Sequence, residues 1–109
     1  QKLVRSMEKI NLRINSVPAK ASREASLCGV VGSGNLEILF RKGDVHDACL
    51  FEVNTSANGF SSTWESVLQD FSENNAVGGL KVAINDMGAT PAVVSLRLGQ
   101  GLAMYLESK

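Results

Sequence analysis

The sequence predicts an α+β fold: a two-layer sandwich in which a four- to five-stranded, mostly antiparallel sheet carries two helices on one face. Three features of the chain point to it. Five short runs, around residues 12, 30, 38, 51 and 82, are β-branched or alternate apolar and polar residues, as half-buried strands require. Two longer stretches place apolar residues at helical spacing, the stripe of an amphipathic helix. The chain has 109 residues, 44% of them hydrophobic and 20% charged, which is enough for one modest core and too little for two.

Residues 1–6 are unlike the rest of the chain, and Met7 reads as a start. The first six are therefore expected to be a non-native or disordered leader to a single domain over residues 7–109. Ile10, Leu12 and Ile14 alternate with Asn11, Arg13 and Asn15 as a first strand. Ser16 to Glu24, with Pro18, reads as a surface loop. Val30 and Val31 then favour extended chain, and Leu36, Ile38 and Phe40 recur at period two. Between these runs, Gly32-Ser33-Gly34-Asn35 permits the positive φ angles of a tight hairpin. Lys42-Gly43-Asp44 ends the third strand in a turn. Ala48 to Asn54 forms a fourth, with Cys49, Phe51 and Val53 on one face and Leu50 on the other.

After the loop Ser56-Ala57-Asn58-Gly59, Ser62 and Glu65 fit an S-x-x-E capping box at a helix start. Trp64, Val67, Leu68 and Phe71 form its apolar stripe, with Trp64 in the core. Leu80, Val82 and Ile84 make a fifth strand, and Asp86-Met87-Gly88-Ala89 a turn. Thr90 caps a last helix with Pro91 at its first position, where a missing N–H does no harm. Val94, Leu96 and Leu98 also fit a strand. The stripe through Val94, Leu98, Leu102 and Tyr105 runs on to Leu106 and selects helix. Gly99 and Gly101 each cost that helix about 1 kcal/mol, so both are expected to sit against another surface.

Composition excludes several classes of function. Eleven basic and eleven acidic residues cancel, so no nucleic acid or anionic membrane partner is expected. No apolar run approaches the length of a membrane span, and no signal-peptide pattern is present, which suits a cytoplasmic protein. Cys28 and Cys49 lie in apolar runs and read as buried free thiols. Gly32 and Gly34 do not extend to a GxGxxG or a phosphate loop, since Glu37 stands at the next position. A nucleophile elbow needs a helix after its serine, and here a strand comes next.

The catalytic inventory is thin. His46 is the one histidine, in the polar turn Gly43 to Asp47, and reads as exposed. Asp44, His46 and Asp47 offer three ligands in four residues with no second cluster, so no metal site is expected. Asp86 reads as a brace for the last helix and Arg97 as part of a solvated helix face. No catalytic residue is therefore assigned. The Ser33 hairpin is either a plain turn or an attachment point.

Two segments decide between these. Gly29-Val30-Val31-Gly32-Ser33-Gly34-Asn35-Leu36-Glu37-Ile38-Leu39 resembles the serine hairpin of the malonate decarboxylase acyl carrier family. Asp86-Met87-Gly88-Ala89-Thr90-Pro91-Ala92-Val93-Val94-Ser95-Leu96-Arg97-Leu98 resembles its second signature, and Val53-Asn54-Thr55-Ser56-Ala57-Asn58-Gly59 a third recurring stretch. Asn35 stands where that family usually has Asp, and makes the same turn. The resemblance implies a non-catalytic carrier subunit whose Ser33 bears 2'-(5''-phosphoribosyl)-3'-dephospho-CoA, a covalent arm for acetyl and malonyl thioesters. It also implies acyltransferase (alpha) and decarboxylase (beta and gamma) subunits as partners, and a phosphoribosyl-dephospho-CoA transferase that loads the arm. The citrate lyase acyl carrier is a more distant likeness, and a small interaction domain with a plain Ser33 turn is the alternative outside this class.

Overall fold

A computed structural model of the chain describes residues 7–19 and 35–107. Residues 1–6, Ser22, Ser26, Cys28, the Val30–Val31 strand and Ser33 lie outside the described residues. The described elements run β1 (Glu8–Asn15), β2 (Leu36–Lys42), β3 (Ala48–Thr55), α1 (Ser61–Asn74), β4 (Leu80–Asp86) and α2 (Pro91–Glu107). This is the α+β sandwich that the two periodicities require, with each described strand within a residue or two of its apolar run.

The four described strands lie in the order β1-β3-β4-β2. β1 pairs antiparallel with β3, and β2 antiparallel with β4. The central pair, β3 and β4, is parallel. The sheet is therefore mixed, antiparallel at both edges and parallel in the middle. A parallel pair cannot be joined by a tight turn and needs a crossover, which α1 supplies. One consequence fixes the site: the carboxyl ends of β3 and β4 lie together, and both helices begin at that end of the sheet.

Burial alternates along every strand. Ile10 and Ile14, Ile38 and Phe40, Phe51 and Val53, and Val82 and Ile84 face the helices and are buried, with Leu12 partly buried beside them. From the other layer Trp64, Leu68 and Phe71 of α1 and Val94, Leu98, Leu102 and Tyr105 of α2 complete the core. Phe40 lies between the layers, its ring centroid 6.4 Å from that of Phe71 and 6.1 Å from that of Tyr105, spacings at which tilted aromatic rings attract. Cys49 is buried and free, and burial pushes its thiol up to about 12, so it is un-ionised and a poor nucleophile at neutral pH. The opposite sheet face is polar: Glu52 pairs with Lys81 at 3.2 Å, and Asn85 links Asn54 to Glu37 across three strands.

The helix ends differ from each other. Thr90 caps α2 as expected: its Oγ1 accepts from the Val93 N–H at 3.3 Å and its carbonyl from the Val94 N–H at 2.9 Å. The Ser62–Glu65 capping box is not formed. α1 starts at Ser61, and the residue before it, Phe60, makes no side-chain cap. The Phe60 carbonyl accepts from the Trp64 N–H at 3.0 Å, which puts Ser62 inside the first turn, too late to cap it. The chain turns into α1 at Gly59, whose φ of 86° is left-handed backbone. At its other end the Asn75 side-chain amide caps α1 by donating to the Phe71 carbonyl at 2.9 Å.

The two helical glycines also part company. A Cβ on Gly101 would lie 2.8 Å from the Phe40 ring, so α2 approaches β2 through this glycine, as expected. Gly99 has nothing within 4 Å and is exposed; the expectation of close packing there is wrong. Gly101 flanks the Leu98–Leu102 stripe, whereas Gly99 lies on the solvent side of the same turn.

This packing generates two stability tests. Gly99→Ala should stabilise the chain by roughly 0.5–1 kcal/mol through helix propensity alone. Gly101→Ala should destabilise it by about 1–3 kcal/mol, because the Phe40 ring is fully buried and has nowhere to yield. Thermal unfolding of the pair reads both, and equal shifts of one sign would refute the packing argument. Trp64→Ala should cost roughly 3–5 kcal/mol in urea unfolding; a loss below about 1 kcal/mol would mean its burial contributes little.

Candidate functional site

At the carboxyl ends of β3 and β4, several of the singled-out segments meet. Leu36 pairs with Asp86 at one side, and Thr55 pairs with Asp86 at the other. The Met87 N–H donates to the Asn35 carbonyl at 2.8 Å, which pins the start of β2 to the Asp86–Pro91 turn. Asn35 is two residues from Ser33, a length of chain that spans at most about 7 Å. The turn of the second signature thus lies against the described end of the first.

Asp86 organises this end. Its side chain is buried, and three donors converge on the carboxylate. Oδ2 accepts from the Thr55 hydroxyl at 2.8 Å. Oδ1 accepts from the backbone N–H groups of Gly88 at 3.1 Å and Ala89 at 2.8 Å. Its backbone carbonyl accepts from the Ser56 N–H at 3.0 Å. Thr55 Oγ1 in turn accepts from the Ala57 N–H at 3.1 Å. A buried carboxylate is costly unless hydrogen-bonded, and these donors hold the turn in one shape. Gly88 takes a φ of 117°, open to glycine and strained for other residues, so the turn after Asp86 needs it. Asp86 is therefore a brace, as its position before the last helix suggested, and it braces the turn rather than the helix.

Between the first turns of the two helices lies a cavity of about 330 Å³. Its walls are mostly apolar: Phe60, Trp64 and Val67 from the α1 side, and Ala89, Pro91 and Val94 from the α2 side, with Asp86 at its edge. Trp64 is a core residue, as its place in the stripe predicted, and one wall of this cavity as well. Sequence reasoning did not find the cavity, because its walls come from helices whose relative placement periodicity does not encode. It also missed Thr55 as the partner of Asp86, although both lie in stretches carrying the resemblance.

The remaining candidates lie elsewhere or are otherwise engaged. His46, Asp44 and Asp47 are exposed and precede β3, at the opposite end of the sheet. Among the described residues no cluster of three or more His, Cys, Asp or Glu side chains is placed to hold a metal ion. Arg97 is half-buried, and its Nη1 donates to Gln100 at 2.9 Å along the same helix. Among the described residues no helix is long and apolar enough to cross a membrane.

Removing one donor tests the brace. Thr55→Val keeps the shape and leaves the buried Asp86 oxygen without its hydroxyl partner, and should cost about 1–3 kcal/mol. Urea unfolding monitored by circular dichroism measures it; an unchanged midpoint would show that the hydroxyl contributes nothing to the turn.

The comparisons agree on one family. The family model described as malonate decarboxylase delta subunit (MdcD), an acyl carrier protein, matches residues 23–105. The malonate decarboxylase acyl carrier protein of Acinetobacter calcoaceticus is 54% identical over 99 residues, covering 91% of this chain and 97% of that one. That of Burkholderia cepacia is 57% identical over 77 residues, covering 71% and 70%. That of Stenotrophomonas maltophilia is 42% identical over 104 residues, covering 94% and 98%. Among solved structures, a chain of the Pseudomonas malonate decarboxylase hetero-tetramer in complex with malonate matches with a TM-score of 0.73 at 36% identity, covering 89% of this chain and 97% of that one. With that match spanning most of its length and its fold shared at that identity, the chain belongs to the malonate decarboxylase delta subunit family of acyl carrier proteins.

Proposed function

We propose that this chain is the acyl carrier subunit of a malonate decarboxylase, and that Ser33 is the attachment point of its 2'-(5''-phosphoribosyl)-3'-dephospho-CoA arm. The observation that carries this reading is the family match, which runs through Ser33 and across the Asp86 turn. When bound, the arm supplies a terminal thiol for acetyl and malonyl thioesters. The chain's own part is to present and anchor. The serine Oγ is the atom esterified to the arm's phosphate, and the glycines on either side leave it open to a transferase. The fit with the structure lies in the described neighbourhood. Asn35, two residues past Ser33, is tied to the turn after Asp86, whose carboxylate is already bonded to three donors.

A carrier of this kind needs no catalytic group, since tethering raises the local concentration of the thioester at successive active sites. The partners in this reading are the acyltransferase (alpha) and decarboxylase (beta and gamma) subunits, with the phosphoribosyl-dephospho-CoA transferase loading the arm. The place of action is the cytoplasm.

Ser33→Ala should leave stability within about ±0.5 kcal/mol, as for a surface hydroxyl, and should abolish malonate decarboxylation by the assembled complex. Replacing Ser22 or Ser26 should leave the modification in place. Peptide mass spectrometry of the chain from its native host reads the first claim directly. An unmodified Ser33 in an active complex, or full turnover without its hydroxyl, would end the reading.

A further inference from the structure

The cavity between α1 and α2 is explained neither by packing nor by an attachment serine alone. It remains open although Phe60 and Met87, at its rim and in the adjoining turn, are each 52% exposed. Large apolar side chains left at the mouth of an apolar cavity gain by a further contact. We propose that the cavity seats the adenine ring of the arm, an inference that rests on the reading of Ser33 as the attachment point.

Reach, size and chemistry all favour the adenine over the rest of the arm. The turn bonded to Asn35 supplies the Asp86, Gly88 and Ala89 wall, and two residues of chain from Asn35 to the serine span at most about 7 Å, so the arm starts within reach of the cavity. The arm's own connectivity places one phosphate and two ribose rings between the serine oxygen and the adenine, a short spacer that brings the base to the nearest apolar surface. At about 330 Å³ the cavity lies at the small end of the roughly 300–1,000 Å³ range of ligand sites, suited to a single heterocycle. Trp64 and Phe60 offer aromatic surface and Val67, Pro91 and Val94 aliphatic surface, the mixture on which a flat base stacks. Neither helix carries an acidic residue in its first turn, and Asp86, the one carboxylate lining the cavity, has its Oδ1 turned to the Gly88 and Ala89 N–H groups.

The distal part of the arm fits less well. Its pantetheine amides are polar, and its thioester has to leave the carrier to be used. Seating the base fixes the root of the arm and leaves the diphosphate and pantetheine free. Because the base is tethered, its effective concentration at the cavity is on the order of millimolar, so a weak site is filled.

The test is nuclear magnetic resonance on the full-length chain, isotopically labelled, before and after loading by the transferase, with intact mass confirming the arm. The adenine H2 and H8 protons should show Overhauser contacts to the Trp64 indole and the Val67 and Val94 methyls, and the Gly88 and Ala89 amides should shift on loading. In loaded Ala89→Phe, which fills the cavity, those contacts should vanish and the adenine resonances should return to those of free dephospho-CoA. Thr63→Phe, at an exposed rim position, serves in its place if Ala89→Phe does not fold. A loaded chain with no adenine contacts and unchanged Trp64 resonances would overturn the inference. So would an assembled complex in which a partner subunit's side chain fills the cavity. If the mass shows no arm on chain taken from an active complex, the attachment reading itself has failed, an outcome distinct from both.

Discussion

Asp86 ties four parts of the molecule together through one residue. Its backbone closes β4 against both β3 and β2, and its carboxylate takes the Thr55 hydroxyl and the N–H groups of Gly88 and Ala89. Without those donors, a buried charge at the end of a sheet would cost several kcal/mol. With them, that cost is offset only when β3, β4 and the turn into α2 are all in place. The carboxylate therefore favours a single arrangement of this end, and the Met87–Asn35 hydrogen bond passes it on to the start of β2.

The parallel pairing of β3 and β4 has a second effect. Because α1 must cross back over the sheet, it begins where β3 ends, and α2 begins where β4 ends. Two helix N-termini, the ends of β3 and β4 and the start of β2 are brought together at one end. An all-antiparallel meander would have distributed them between both ends. The opposite end holds the polar turn with Asp44, His46 and Asp47, about seven strand residues away along β3, or roughly 23 Å.

Much of this is legible in the residues, and the rest is hidden for identifiable reasons. Period-two runs such as Leu36-Ile38-Phe40 and Leu80-Val82-Ile84 mark strands and their buried faces, because side chains alternate across a sheet whatever its topology. They do not say which strand is the neighbour: β2 pairs with β4, far along the chain, and the parallel centre of a sheet expected to be mostly antiparallel leaves no local trace. The start of α1 departs from expectation because Ser61, Ser62 and Thr63 are adjacent capping residues, and the left-handed Gly59 before them sets the register instead. Helical spacing does separate Gly101 from Gly99 once the Val94–Leu98–Leu102 stripe is taken as the buried face. The two glycines are alike in propensity, but only one of them borders that stripe. The segment around Ser33 is legible as a motif, and the Asp86 turn as a second one. That Asn35 and Met87 join them is a tertiary fact.

The same packing bears on what a carrier must avoid. In the reading proposed above, a tethered thioester would be exposed to nucleophiles on its own protein, so a carrier gains where those among the described residues are disabled. Cys49, a core residue of β3, is fully buried and protonated at neutral pH, and an un-ionised thiol does not exchange acyl groups. The Asp86 carboxylate, at the end of the sheet where β2 starts, is buried and accepts from three donors, and is poorly placed to activate a water. His46, the chain's single imidazole, sits at the other end of the sheet. Asp86, which makes its end of the sheet rigid, is thus also held inert there, and in the proposed reading a subunit that delivers an activated acyl group unchanged needs both properties at once.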